Sequence, residues 1–330
     1  MKVKGISYSY GRLPLYLYLI RTYLKFLAVG KCLNSPLVLQ IQTQSFCNGR
    51  CSICPYHIVR KKLDQGAMEW DLFAKIAKEL ASEPLLPSVV FGLHNEPLLD
   101  KRTFDWVKYV KSITPDRHCA IVTNGELLDN FSLTDIRQSK VDTLVISLNA
   151  YSKEMYESIN NGLDYDRVMR NVSCLLSDES LREKVTLSFV LTEQNMHEVY
   201  QATRYWKGQG VRTRVMGVAN RAGTLDNYEK IRPKTEYYGN PLPLRVWRYL
   251  MASARGATGC PIPFYQMNIL FNGDAILCCH DWNRASVVGN AGTNSLREVW
   301  NSERMNEIRR LILRKRYEEI TSCQECSLVR

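Results

Sequence analysis

Three closely spaced cysteines are the residues in this chain best suited to chemistry. Cys47, Cys51 and Cys54 form a C-x3-C-x2-C run within Phe46-Cys47-Asn48-Gly49-Arg50-Cys51-Ser52-Ile53-Cys54-Pro55. Thiolates at this spacing can hold three irons of a cubane 4Fe-4S cluster and leave the fourth iron open. An open iron can bind and reduce a substrate, whereas a site closed by four cysteines stores or passes electrons. Zinc ribbons use pairs of C-x2-C, which this run does not match. The alternative without metal is three cysteines buried in a loop.

A second constellation lies near the other end of the chain: Cys260-x12-Gly273-x4-Cys278, a gap of 44 residues, then Cys323-x2-Cys326. Four thiolates so placed can close a complete cluster shell, and a four-cysteine zinc site is the competing reading. Cys279 follows Cys278 directly. Neighbours on a strand face opposite ways, so Cys279 faces away from the side Cys278 faces unless the strand has already ended. His280 and Asp281 are either proton carriers or a structural turn. Cys32, Cys119 and Cys174 sit in apolar contexts and read as small core residues.

The elements that must position these groups alternate. Apolar runs at Leu37–Thr43, Ser88–Leu93, Cys119–Thr123, Thr143–Leu148, Val185–Leu191 and Arg212–Gly217 are mostly β-branched, as buried parallel strands are. Helical spacing lies between them, with Leu72, Phe73, Ile76, Ala77 and Leu80 on one face and Phe104, Val107 and Val110 on another. This predicts an α/β fold of six βα units with right-handed crossovers, an open partial barrel. The first cysteine run falls just past strand one, on the rim where strand-to-helix loops converge in α/β barrels. Beyond residue 255 the rhythm stops. Phe264–Phe271 and Ala275–Cys279 flank the hairpin turn Asn272-Gly273, and one long helical pattern runs from Leu296 to Tyr317. The expected organisation is an N-terminal extension (1–35), a barrel (36–255) and a small C-terminal hairpin-plus-helix unit (256–330).

The first cysteine run resembles the signature of the radical S-adenosylmethionine (SAM) superfamily, except that Ile53 stands where an aromatic residue is common. The resemblance implies that the open iron chelates SAM, which is cleaved to methionine and a 5'-deoxyadenosyl radical that takes a hydrogen atom from substrate. It implies Cys47, Cys51 and Cys54 as cluster ligands. Gly92-Leu93-His94-Asn95-Glu96-Pro97 is similar to the family's Gly-Gly-Glu-type motif, with His94 and Asn95 in place of glycines. This implies that Glu96, with Asn95, contacts the SAM amino group. Ser147 and Asn149 after strand four are the implied ribose contacts, and Asn220-Arg221-Ala222-Gly223 after strand six a wall for adenine or substrate. Thr123-Asn124-Gly125 reads as an ordinary turn.

The C-terminal pattern resembles the SPASM/twitch extension of these enzymes in its one-auxiliary-cluster form, the form of the 2-deoxy-scyllo-inosamine dehydrogenase type. It implies a second 4Fe-4S cluster on Cys260, Cys278, Cys323 and Cys326. The implied activity is dehydrogenation of a carbohydrate- or cyclitol-like small molecule, with the auxiliary cluster accepting an electron. Redox-neutral epimerisation with Cys279 as hydrogen donor and maturation of a ribosomal peptide are the rival reactions. A basic zinc module is the non-enzyme rival. The implied electron donor is a flavodoxin- or ferredoxin-like protein.

Composition is that of a soluble globular protein, 45% hydrophobic and 23% charged over 330 residues. Eleven cysteines in uneven clusters argue for metal rather than disulfides, hence a reducing cytoplasm. The net charge of +11 suits acidic partners, including an anionic substrate, but nothing here is specific for nucleic acid. Arg309, Arg310, Arg314, Lys315 and Arg316 read as a solvated helix face. Residues 13–29 are rich in Leu and Tyr. Arg21 and Lys25 make them a poor membrane span, and they lack a signal-peptide cleavage site. With Thr22, those cations give a narrow polar stripe on a helix that either docks on the main domain or makes peripheral contact with a membrane.

Overall fold

The computed structural model describes residues 12–32, 35–83, 86–234 and 259–329, and of 12–17 the backbone alone. The expected boundary at 255/256 lies outside these residues. Six strands form where the apolar runs predict them: β1 Val38–Ile41, β2 Ser88–Phe91, β3 His118–Thr123, β4 Thr143–Ser147, β5 Val185–Leu191 and β6 Arg212–Gly217. Each pairs in parallel with the next. Burial explains their composition, for β1 and β2 are buried at every position. The helices between them turn an apolar face to the sheet. Trp70–Ala81 buries Phe73, Ile76, Ala77 and Leu80, and Thr103–Ile113 buries Phe104, Trp106, Val107 and Val110.

The C-terminal hairpin does not stand apart. β7 (Gln266–Ile269) pairs in parallel with β1, Val38 opposite Gln266 and Ile41 opposite Ile269. β8 (Asp274–Ile276) and β9 (Val287–Asn290) follow antiparallel. The result is one nine-stranded sheet in the order β6-β5-β4-β3-β2-β1-β7-β8-β9. The strand bearing the first cysteine loop is thus flanked by β2 and by the C-terminal segment. Phe264 belongs to a short helical turn, Ile262–Tyr265, rather than to the hairpin, and β8 ends before Cys278 and Cys279.

Four expectations need correction. The pattern from Leu296 to Tyr317 is two helices, Leu296–Trp300 and Glu303–Leu313, because Ser302 caps the second by accepting from Met305 N–H. Arg309 is not on a solvated face. It is fully buried and donates to the carbonyls of Pro263 and Trp300, and it lies over the Trp300 ring at 4.2 Å. Cys174 is exposed, whereas Cys32 and Cys119 are buried as predicted. Thr22 is buried rather than part of a polar stripe.

The N-terminal helix, Arg12–Val29, docks through Tyr18, Leu19, Thr22 and Phe26. Tyr18 Oη donates to the Ser35 carbonyl at 2.7 Å, and Phe26 meets Phe264 edge-on at 5.8 Å. No helix among the described residues is long and apolar enough to cross a membrane.

Candidate functional site

The first cysteine loop leaves the sheet at Gln42 and is closed at its neck. Gln44 bridges Ala67, Ser45 N–H donates to the Gly66 carbonyl at 2.9 Å, and Met68 N–H to that of Thr43 at 2.7 Å. Gly66 is needed for this closure, since a Cβ there would meet the Phe271 ring at 2.5 Å. Inside the loop, Cys47 N–H donates to Tyr56 Oη at 3.0 Å, Arg50 N–H to the Asn161 carbonyl and Ser52 N–H to that of Ile159.

This geometry brings the three thiols close enough for their charges to act on one another. Burial pushes Cys47 up to about 12, and Cys51 rises well above its ordinary value through burial and then the nearby Cys54 and Cys47. Burial also raises Cys54. Backbone N–H groups of Gly49 and Tyr56 point at the sulfurs of Cys47 and Cys54. Neighbouring half-buried thiols that already receive amide donors fit a cationic iron–sulfur cluster, which supplies the positive charge their thiolates require.

The second set converges in the same way. Cys278 rises through burial and then Cys279 and Cys260, and Cys323 through burial, Cys260 and Cys326. Amides of His280 and Leu328 aim at Cys278 and Cys326. Asp281 accepts from Ala285 N–H at 3.0 Å and Ser286 N–H at 2.9 Å, so it shapes the turn after Cys278. Among the described residues, no three His, Cys, Asp or Glu side chains are arranged to hold a single metal ion.

Cys279 packs against Leu93, Leu270 and Ile276, close enough to Cys278 and Cys326 for its charge to act on both. Its carbonyl accepts from His94 Nε2 at 2.9 Å, and the His94 ring stacks on Trp282 at 4.1 Å. His94 holds φ at 57°, a left-handed backbone more easily adopted by glycine. The two cysteine loops are joined through the β1–β7 ladder and through Trp282, which packs with Tyr56 and Val59 beside Cys47 and Cys54, while His94 ties the loop after β2 to the second of them. The β6 loop completes the enclosure: Asn220 and Ser327 exchange hydrogen bonds of 3.1 and 2.8 Å, which locks Asn220 beside Cys326.

Glu96 is buried beside Cys47. Its Oε1 accepts from Leu98 N–H at 3.0 Å and Thr123 Oγ1 at 2.6 Å, and its Oε2 from Asn124 N–H at 2.7 Å. Burial nevertheless raises this carboxyl from 4.5 to about 7. Asn95 Oδ1 accepts from Leu93 N–H, while its buried Nδ2 finds no partner among the described residues. Ser147 ends β4 in register with Ser188. Asn149 lies past the strand at φ 60°. Its amide is engaged on both sides, Oδ1 by Val190 N–H and Nδ2 with Asn160, so it braces the rim.

One network was not legible beforehand. Asn124 Nδ2 donates to Asn48 Oδ1 at 2.8 Å, Asn48 Nδ2 to Glu126 Oε2 at 2.6 Å, and Asp164 N–H to Glu126 Oε1 at 2.6 Å. It ties the cysteine loop to the end of β3, where the sequence shows only a turn. The one available signal was Asn48 itself, a side chain with both donor and acceptor inside the cysteine run.

Comparison with known proteins agrees with this geometry. The radical SAM superfamily model matches residues 41–205, and the SPASM iron–sulfur cluster-binding domain matches residues 260–327. The S-adenosyl-L-methionine-dependent 2-deoxy-scyllo-inosamine dehydrogenase of Niallia circulans is 19% identical over 292 residues, 88% of this chain and 93% of that protein. The tungsten-containing aldehyde ferredoxin oxidoreductase cofactor-modifying protein of Pyrococcus furiosus is 23% identical, over 88% and 87%. Among solved structures, BtrN in complex with AdoMet and 2-DOIA superposes with a TM-score of 0.60 at 17% identity, covering 88% of this chain and 92% of that one. Streptococcus suis SuiB bound to precursor peptide SuiA gives 0.66 at 17% identity, covering 94% and 73%.

Proposed function

This chain belongs to the radical SAM superfamily, and from that premise we propose that it dehydrogenates a small hydroxylated molecule of the carbohydrate or cyclitol class. Its cofactors are SAM with a 4Fe-4S cluster and an auxiliary iron–sulfur cluster. The observation that supports dehydrogenation is the second cysteine set, which is carried on the same sheet as the first and meets it where Trp282 packs beside Cys47 and Cys54. It is joined by likeness over 93% of the length of a SAM-dependent dehydrogenase.

When bound, the cofactors supply one-electron chemistry, namely removal of a hydrogen atom from a substrate carbon and acceptance of the electron left behind. The chain's own residues hold and orient. Cys47, Cys51 and Cys54 hold the first cluster, and Cys260, Cys278, Cys323 and Cys326 the auxiliary one. Glu96 offers its remaining lone pair to an ammonium. Ser147 offers a hydroxyl at the rim, and Asn149 keeps that rim in place. Redox-neutral epimerisation is the second reading, favoured by a half-buried Cys279 packed against Leu93 just past β2. A flavodoxin- or ferredoxin-like protein is the electron donor in either case.

The test uses protein purified without oxygen. Roughly eight irons and eight sulfides per chain are expected, with 5'-deoxyadenosine formed from SAM under dithionite and none formed by Cys51→Ala. Cyclitols and aminocyclitols are then screened for loss of two hydrogens by mass spectrometry. Zinc in place of iron, or undiminished cleavage by Cys51→Ala, overturns the cofactor assignment. A product isomeric with its substrate overturns dehydrogenation.

A further inference from the structure

The helix Arg12–Val29 has three faces. One is docked on the domain through Tyr18, Leu19, Thr22 and Phe26. Opposite it, Ile20, Leu24 and Leu27 stand on successive turns and are 54%, 63% and 72% exposed. Arg21 and Lys25 lie along one border of that ridge. Single exposed apolar residues are ordinary, whereas three at i, i+4 and i+7 form a continuous stripe.

The charge along this part of the sequence is one-sided. No Asp or Glu occurs before Asp64, and the first 35 residues carry Lys2, Lys4, Arg12, Arg21, Lys25 and Lys31. From the ridge and this charge together, we propose that the outer face of the helix docks the protein on an anionic lipid bilayer.

The physical case has three parts. An apolar stripe bordered by cations, in a stretch of sequence without acids, matches the two attractions that hold a helix in a bilayer interface: burial of apolar side chains among acyl chains and attraction of cations to anionic headgroups. A second copy of the chain is a poor occupant, because it would set one cationic segment against another. The ridge also cannot turn inward to escape water. Tyr18 Oη is bonded to the Ser35 carbonyl, and Tyr23 and Phe26 pack on Phe264, so the opposite face is fixed to the domain. A bound bilayer would therefore hold the whole molecule in one orientation. This inference does not depend on the reaction proposed above.

The experiment is flotation of the full-length, cluster-loaded protein with vesicles of phosphatidylcholine alone or mixed with phosphatidylglycerol. Binding to the mixed vesicles should exceed binding to neutral ones by about tenfold and fall as salt rises. The triple variant Ile20→Ser, Leu24→Ser, Leu27→Ser should lose about tenfold or more of that binding. Its thermal unfolding should match the parent's, since the three side chains are exposed. The proposal is overturned if the parent does not float with anionic vesicles. Equal flotation of the triple variant would also overturn it, as would a dimer in sedimentation equilibrium that the triple variant abolishes.

Discussion

Glu96→Gln separates the structural work of this carboxylate from its proposed ligand contact. A carboxylate has about four lone-pair positions. Leu98 N–H and Thr123 Oγ1 fill two on Oε1, and Asn124 N–H fills one on Oε2. One remains, and an ammonium there makes a charge-assisted bond worth about 1.5–3 kcal/mol. Its loss weakens SAM binding roughly 10- to 150-fold. Stability changes less, because two effects oppose. The folded state raises this carboxyl from 4.5 to about 7, so the carboxyl destabilises the fold progressively as pH rises between those values. The penalty above neutrality is about 3 kcal/mol, at about 1.4 kcal/mol per pH unit. Gln removes that penalty but leaves either Leu98 N–H or Asn124 N–H without an acceptor, at about 1–3 kcal/mol. The sign of the pH dependence follows from the same shift. Below about 7 the free protein must release a proton before the carboxylate can pair with an ammonium. Parent affinity therefore falls by up to about tenfold per pH unit on acidification, and that of the Gln variant stays flat. Equilibrium dialysis with labelled SAM across neutral pH measures both. A Gln variant that binds as tightly as the parent, or a flat parent profile, refutes the argument.

Cys279→Ala should leave dehydrogenation and 5'-deoxyadenosine formation intact. If product formation stops while SAM cleavage continues, Cys279 is the hydrogen donor and the epimerase reading gains. Arg309→Ala removes donors from the Pro263 and Trp300 carbonyls and empties a buried site, and should cost about 3 kcal/mol in denaturant unfolding. Lys in its place should recover only part of that, because it lacks the fork that reaches both carbonyls. Gly66→Ala drives a methyl into the Phe271 ring and should cost about 1–3 kcal/mol. Phe271→Leu in the same chain should restore much of the loss, and no restoration would mean the strain lies elsewhere.

Periodicity made the barrel legible. Val185–Leu191 and Arg212–Gly217 form strands with the predicted bounds, because β-branched runs between helical patterns leave little alternative. β9 was not legible, since four residues containing Gly289 carry too little pattern. Cysteine spacing marked the two segments proposed to hold clusters, but not the contacts that hold those segments in place. The Asn48–Asn124–Glu126 chain joins residues 76 and 78 positions apart, which only the fold brings together. Arg309 misled because a cation in a basic run reads as solvated, and only carbonyls left over at helix ends and a Trp ring make its burial tolerable.

The position of β7 beside β1 has a consequence for biosynthesis. β1 lies near the start of the described chain, yet among the described residues one of its edges pairs with residues 266–269. A nascent chain that has not reached β7 presents a bare parallel edge directly beneath the first cysteine loop, and such edges invite pairing with other chains. Closing a loop of more than two hundred residues to cover it is slow. Until residues 266–269 have been made, the strand that leads into the first cysteine loop is paired on one side alone.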